Sequence, residues 1–441
     1  MTASRPVPAL GKARVSKVPT VADVTLPNGL RVLAVRRTGV PLVELRLRIP
    51  FAGKGDGNVA RAQLLGDTLL SGTDSRDASQ IAVDLQSLGG QLHASNDADR
   101  LSISGSVLSS GFGGMLDLLG DLLTAASYPK EEVFAERDRL VQELAIHRSQ
   151  ASVVAREALL RRMYGEHPYG RELPSAAAVA DVKPGQLRAL HAKRVVPAGS
   201  VLTIVGDVQP AKAVAQIERK LAGWTAATKA ATTPKLPKHV PGLALLLDRP
   251  GAVQTTIRMA GPAPARSSSE YAAASLANMV FGGYFSSRWT ANIREDKGYT
   301  YGGHSVFEHP PAGSRLTVSV DVATDVTAPS VLETLYELGR IATVPVSQDE
   351  LDQARRYAIG SLQLGAASQA GLASLISMLV GADLGVDYLR TFPRQLEQVT
   401  VDEVLAAAAT WMAPTRLTTV LVGDVKTVAA PLEGLIAFER E

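Results

Sequence analysis

Cysteine is absent from all 441 residues. That removes disulfide frameworks, thiolate zinc sites, iron–sulfur clusters and cysteine nucleophiles together, and leaves His, Asp and Glu as the metal ligands to look for. The same absence suits an oxidising periplasm and a reducing cytosol equally. Aromatic residues are sparse at 5%, yet 46% of the chain is hydrophobic, so there is enough apolar surface to bury and disorder is excluded. Charge of one sign does not dominate either: 46 Lys and Arg face 43 Asp and Glu, and the formal net charge of +3 is too small for a nucleic-acid footprint. No apolar run approaches the ~20 residues of a membrane span, and the first thirty residues lack the apolar stretch of a signal peptide. Residues 1–20, with Pro6, Pro8 and Pro19, read as an extended N-terminal arm.

What is present is a repeat. The segment Pro197–Val208 (PAGSVLTIVGDV) aligns without a gap on Pro414–Val425 (PTRLTTVLVGDV), 217 positions later, and the same offset superposes Glu132–Ala145 on Asp349–Leu362. Between the copies, residues 223–242 are rich in Ala, Thr, Lys and Pro and read as a linker. The expected organisation is therefore an N-terminal domain over 21–222, the linker, and a C-terminal domain over 243–441. In the first, the Asn28-Gly29 turn signal joins Asp23–Thr25 to Arg31–Val35, and a further strand follows at Val43–Ile49. Helices are predicted near Val59–Leu70, Ser79–Leu88, Phe112–Ala125 and Glu131–Arg148, with a strand at Leu101–Val107. The second half repeats this as Gln254–Ala260, Ser269–Phe281, Leu316–Val322, Ala328–Ile341 and Gln348–Leu364. Strands and helices are mixed without strict alternation, which predicts an α+β class: two tandemly duplicated α/β sandwich domains, antiparallel sheets covered by helices.

Five short motifs then occur in a recognisable order: PNGLRV at Pro27–Val32, LLSGT at Leu69–Thr73, ERDRLVQEL at Glu136–Leu144, HPYGR at His167–Arg171, and FGGYFSSR…IREDKGYTY at Phe281–Tyr301. In this order the chain resembles, over nearly its whole length, the pitrilysin and insulinase-like zinc peptidases. That group includes mitochondrial processing peptidase and the core proteins of the respiratory cytochrome complex. The resemblance implies the sandwich fold shared by mitochondrial processing peptidase and LuxS-like metallohydrolases. Active members carry H-x-x-E-H on the helix that ends in the Gly-Thr pair: His residues at i and i+4 share one helix face and hold zinc, and the Glu serves as base. The matching positions here are Gln63, Gly66 and Asp67, so both histidines and the base are missing. Glu143 matches the family's third ligand, and Glu136 a second acidic position two turns earlier. A lone carboxylate makes no zinc site; the structural reading pairs Glu143 with Arg61, Arg137 or Arg139, and the alternative is a weak oxygen-only site with Asp67 for calcium or magnesium.

The second-half motif survives. In the family, an Arg and a Tyr seven residues apart face the zinc across a chamber, and they map here to Arg294 and Tyr301. A guanidinium can hold a peptide carbonyl and a phenol can donate to a developing oxyanion; composition alone favours a helix-end cation and a packed aromatic, and the resemblance reverses that preference. Gly282 and Gly283 read either as a helix C-terminal cap or, by the resemblance, as a substrate contact near the chamber wall. The seven histidines show no i,i+4 pair. The resemblance thus implies a subunit with no cofactor of its own, paired with a homologous H-x-x-E-H subunit that carries zinc, the two hydrolysing peptides as a metallo-endopeptidase. A non-catalytic scaffold like the respiratory-complex core proteins is the alternative from another class, and a self-sufficient peptidase with an unusual metal is a third. A periplasmic location is expected, with the cytoplasm as the alternative.

Overall fold

The chain reverses at Asn28-Gly29 because Gly29 takes a φ of 91°, and the two flanking strands pair antiparallel across it. A computed structural model describes residues 20–225 and 228–441; the arm expected over 1–20 lies, apart from Thr20, outside them. The first half builds a six-stranded sheet from β1 (Val21–Thr25), β2 (Arg31–Arg36), β3 (Leu42–Pro50), β4 (Gln91–Asn96), β5 (Arg100–Leu108) and β6 (Val201–Gly206), in the order β1-β2-β6-β3-β5-β4. Strict alternation in β5 sends Leu101, Ile103 and Val107 into the core and the serines between them toward the other face. Helix Phe112–Ala125 covers that core face with Met115, Leu116, Leu119 and Leu123.

The second half repeats the plan with β7 (Ala244–Asp248), β8 (Gln254–Ala263), β9 (Gly303–Glu308), β10 (Ser314–Ala323), β11 (Thr418–Gly423) and β12 (Phe438–Arg440), ordered β12-β7-β11-β8-β10-β9. Strands β6 and β11 lie 217 positions apart and each enters the middle of its sheet. Both sheets are mixed, which corrects the expectation of antiparallel ones: β2 with β6, β7 with β11 and β7 with β12 run parallel. The cause is connectivity. Strands β6 and β11 return only after a long helical excursion, and such a crossover delivers a strand parallel to its neighbour, whereas a hairpin cannot. The outer strand beside β2 precedes it in the chain, whereas its counterpart beside β7 comes from the C-terminus.

The halves also exchange helices. Helix Ala151–Tyr164 of the first half lies on β8 and β11 of the second sheet, packing Ala155, Leu159 and Met163 with Leu245, Ala260 and Val420. Helix Gln369–Val380 of the second half lies on β3 and β6 and packs Leu372, Ile376 and Val380 with Leu33, Val35 and Val205. These two apolar triplets are themselves 217 positions apart. Residues 228–242 carry no helix or strand, yet they are held to both halves: the carbonyl of Pro234 lies 3.0 Å from His167 Nε2, and His239 Nε2 lies 3.0 Å from the carbonyl of Arg416. No single helix among the described residues is long and apolar enough to cross a membrane.

Candidate functional site

Gln63, Gly66 and Asp67 fall on helix Asp56–Asp67, whose buried face carries Leu64 and Leu65. Gly66 is buried, and a Cβ there would collide with Oδ1 of Asn96 at the end of β4. The side chain that a base would need is therefore replaced by another residue's amide. Neither polar atom of that amide has a hydrogen-bond partner among the described residues. Across from it, helix Lys130–Arg148 presents Glu136, Arg139 and Glu143 at i, i+3 and i+7. Arg139 Nε donates to Glu136 Oε2 at 2.8 Å, and its other nitrogens pair with Glu136 and Glu143. The hydrogen bond to Glu136 is the main reason the Arg139 pKa lies above its ordinary value.

Asp67 completes this cluster. Its side chain reaches solvent but is crowded by protein atoms; that desolvation, with the charges of Glu136 and Glu143, pushes its pKa up to about 6 despite the opposing charge of Arg139. A guanidinium thus stands where a divalent cation's charge would be needed, and it already occupies Glu143. Among the described residues no three His, Cys, Asp or Glu side chains form a group able to hold a metal. Gln63, Gly66, Asp67 and Glu143 do not fit zinc, and the oxygen-only alternative on Asp67 and Glu143 meets the same resident cation. Of the arginines expected to partner Glu143, Arg139 does so; Arg137 pairs with Asp138 and lies over the Phe134 ring.

The Arg294 and Tyr301 segment is built differently. Helix Tyr271–Asn278 widens into a π-turn at Met279–Gly283 and stops at extended Tyr284. The chain then passes through a short turn at Arg288–Thr290 and a second π-turn at Ala291–Asp296 that carries Arg294. Two anchors fix this path. Trp289 is fully buried, stacked 5.3 Å from Phe281, with Nε1 donating to Thr334 Oγ1 at 3.0 Å. Arg288 makes a two-point pair with Glu350 at 2.5 and 2.7 Å, and this pairing holds the Glu350 pKa down to about 2. Gly298, at φ 67°, turns the chain back, and Thr300 Oγ1 donates to the carbonyl of Asp321 at 2.7 Å just before β9 begins.

Arg294 and Tyr301 line one open depression of about 600 Å³ together with Tyr299, Gln254 and Asp321. Tyr301 is fully exposed. Arg294 pairs with neighbouring Glu295, and its guanidinium carbon sits 4.1 Å from the ring centre of Phe285. Sequence reasoning misses Phe285, whose only signal is an aromatic residue inside FGGYFSSR. Gly282 and Gly283 do not line the depression. Gly282 is buried where a Cβ would come within 2.9 Å of the Trp289 ring, and Gly283 is confined by Asn278 and Met279. Tight packing requires glycine there. Neither has a positive φ, so the C-terminal cap reading does not describe them.

Two family models match the chain, "Insulinase (Peptidase family M16)" over residues 61–176 and "Peptidase M16 inactive domain" over 181–357. Between them they cover well over half of it. The chain belongs to peptidase family M16. The first M16 model spans Gln63, Gly66, Asp67 and Glu143; the inactive-domain model spans Arg294 and Tyr301. An uncharacterized zinc protease of Mycobacterium tuberculosis is 26% identical over 392 residues, covering 87% of this chain and 89% of the relative. A probable mitochondrial-processing peptidase subunit beta of Arabidopsis thaliana is 24% identical over 204 residues, 46% of this chain and 38% of the relative. A crystal structure described as the peptidase M16 inactive domain from Pseudomonas fluorescens superposes with a TM-score of 0.85 at 24% identity, covering 92% of this chain and 98% of that one, which establishes the M16 fold.

Proposed function

We propose that this M16 chain is the non-zinc subunit of a two-chain metallo-endopeptidase. The observation that carries the reading is the contrast between its halves. The ligand helix faces a resident guanidinium, while Arg294 and Tyr301 share an open depression with the tyrosine wholly in solvent. A homologous partner with an intact H-x-x-E-H helix would hold the zinc, and with it would provide water activation and the base. On this chain, Arg294 holds the carbonyl of the peptide through charge-assisted hydrogen bonds, and the Tyr301 hydroxyl donates to the oxygen on which negative charge develops. Phe285 beneath the guanidinium keeps Arg294 turned toward the depression. Extended peptides are the substrates, added as a strand to a sheet edge of the partner. A periplasmic location is part of the proposal and is tested by cell fractionation.

A quenched peptide assayed with this chain, with the H-x-x-E-H chain and with both separates the readings. Activity is expected only in the mixture, and Arg294→Ala or Tyr301→Phe is expected to lower kcat by about 10²–10³-fold while the partner's zinc content stays constant. Full activity in the partner alone would overturn the proposal in favour of a non-catalytic scaffold.

A further inference from the structure

We propose that a cavity between the two halves binds a short peptide with both ends free, its carboxylate against Arg48 and Arg266 and its ammonium against Asp99. The cavity measures about 450 Å³, is partly open to solvent, and is bordered by the β4–β5 turn of the first half and the β9–β10 turn of the second. That volume lies within the ~300–1,000 Å³ of small-ligand sites and has room for a short peptide, not for a folded chain.

Most charges around it are already paired. Asp97 is joined to Arg100 and accepts the backbone N–H groups of Asp99 and Arg100 at 3.1 and 3.0 Å. Arg315 and Arg156 share Glu308 and Glu172. Four side chains are left over. Arg48 donates to the carbonyl of Ser377 at 3.0 Å but has no carboxylate oxygen within ion-pair distance among the described residues, and burial lowers its pKa. Arg266 lies 5.3 Å from the Tyr271 ring centre, and its buried Nε has no partner among the described residues. His309 Nδ1 lies 2.7 Å from Ser314 Oγ, while its buried Nε2 is likewise unpartnered. Asp99 is 5% exposed; its Oδ2 accepts the Tyr169 hydroxyl, which in turn accepts the N–H of Ala312 at 3.0 Å from the other half. Asp99 Oδ1 has no partner among the described residues.

Buried polar atoms are rarely left unpaired, and here five of them belong to residues from both halves that line one cavity: the two amide atoms of Asn96 and one atom each on Asp99, Arg266 and His309. Their signs choose the ligand. An inorganic oxyanion would satisfy the guanidiniums but would face the Asp99 carboxylate. A ligand with a carboxylate and an ammonium answers both. Each peptide cleavage creates one new end of each kind, so such molecules are at hand wherever peptides are hydrolysed; the site itself does not depend on the two-chain reading.

Isothermal titration calorimetry of the whole chain with alanyl-leucine tests this without any partner. Saturable binding is expected, weakened about ten- to a hundredfold for N-acetyl-alanyl-leucine and for alanyl-leucinamide, and by a similar factor in Arg266→Gln and Asp99→Asn, with folding checked by circular dichroism. No binding at millimolar dipeptide, equal binding of either blocked peptide, or binding of inorganic phosphate in place of the dipeptide would each overturn it. The blocked peptides act on the unaltered chain, so the test survives a variant that fails to fold.

Discussion

At Glu143, the position that the family resemblance gives to a third zinc ligand, the carboxylate instead spends an oxygen on the guanidinium one turn earlier in its own helix, and the same guanidinium holds Glu136. Restoring the family's ligands is therefore not enough. The variant Gln63→His/Gly66→Glu/Asp67→His is expected to retain little zinc by atomic absorption, and adding Arg139→Val to bring it near one equivalent, with Asn96 rotating away because its amide has no hydrogen bond among the described residues to lose. The proton balance at Asp67 gives a second prediction. Its folded-state pKa of about 6 lies above the unfolded value, so the folded chain binds the extra proton and loses stability as pH rises from about 4 to about 6. With screening around this solvent-reaching side chain taken into account, the loss is about 1 kcal/mol. Asp67→Asn is then more stable than the parent by that amount in urea unfolding at pH 7.5, and the difference disappears below about pH 4. The Glu143 pairing is legible in the sequence because i and i+4 neighbours on a helix must meet. The Asn96 contact is not, since nothing local links β4 to the helix thirty residues earlier.

The elements that sequence patterning places well are those whose burial is local. Helix Phe112–Ala125 matches its predicted extent and strand β5 exceeds its own by one residue at each end, because each shows one apolar face at its own period. Patterning assigns no element to Ala151–Tyr164, Gln369–Val380 or β4. The two helices bury their stripes against the opposite half, and β4 is an edge strand whose burial alternates but whose inward side chains, Leu92, Ala94 and Asn96, carry only one large apolar residue. Helix Ser269–Phe281, predicted as regular, instead ends in a π-turn, because buried Trp289 packs against Gly282. The Arg294–Tyr301 segment depends on such a detail at Gly298, where a Cβ would meet no neighbour within 4 Å and only the positive φ constrains the choice. Gly298→Asn is expected to be tolerated, whereas Gly298→Val should cost about 1–2 kcal/mol and displace Tyr301. Thermal melting reads the first effect, and peptide hydrolysis by the mixed subunits reads the second.

For the whole molecule, the exchanged helices make each half part of the other's core. Leu159 and Ile376 occupy equivalent places in the repeat, and both are buried in the seam between the halves. Truncating either to Ala should cost about 2–5 kcal/mol, and because the lost packing joins the halves, the cost should appear as one cooperative transition at lower denaturant and not as a separate early step. The same exchange makes a stronger prediction. Produced alone, residues 20–222 would leave Leu33, Val35 and Val205 without the helix that covers them, while Ala155, Leu159 and Met163 would have no sheet to cover; residues 243–441 would be exposed in the reciprocal way. Apolar faces of that size drive association. The two pieces made together should therefore assemble one-to-one on a sizing column, with each alone aggregating or pairing with itself. Pieces that each run as folded monomers and ignore one another would mean that the seam contributes little, and the cavity and Arg294 surface would then be carried on halves free to move apart.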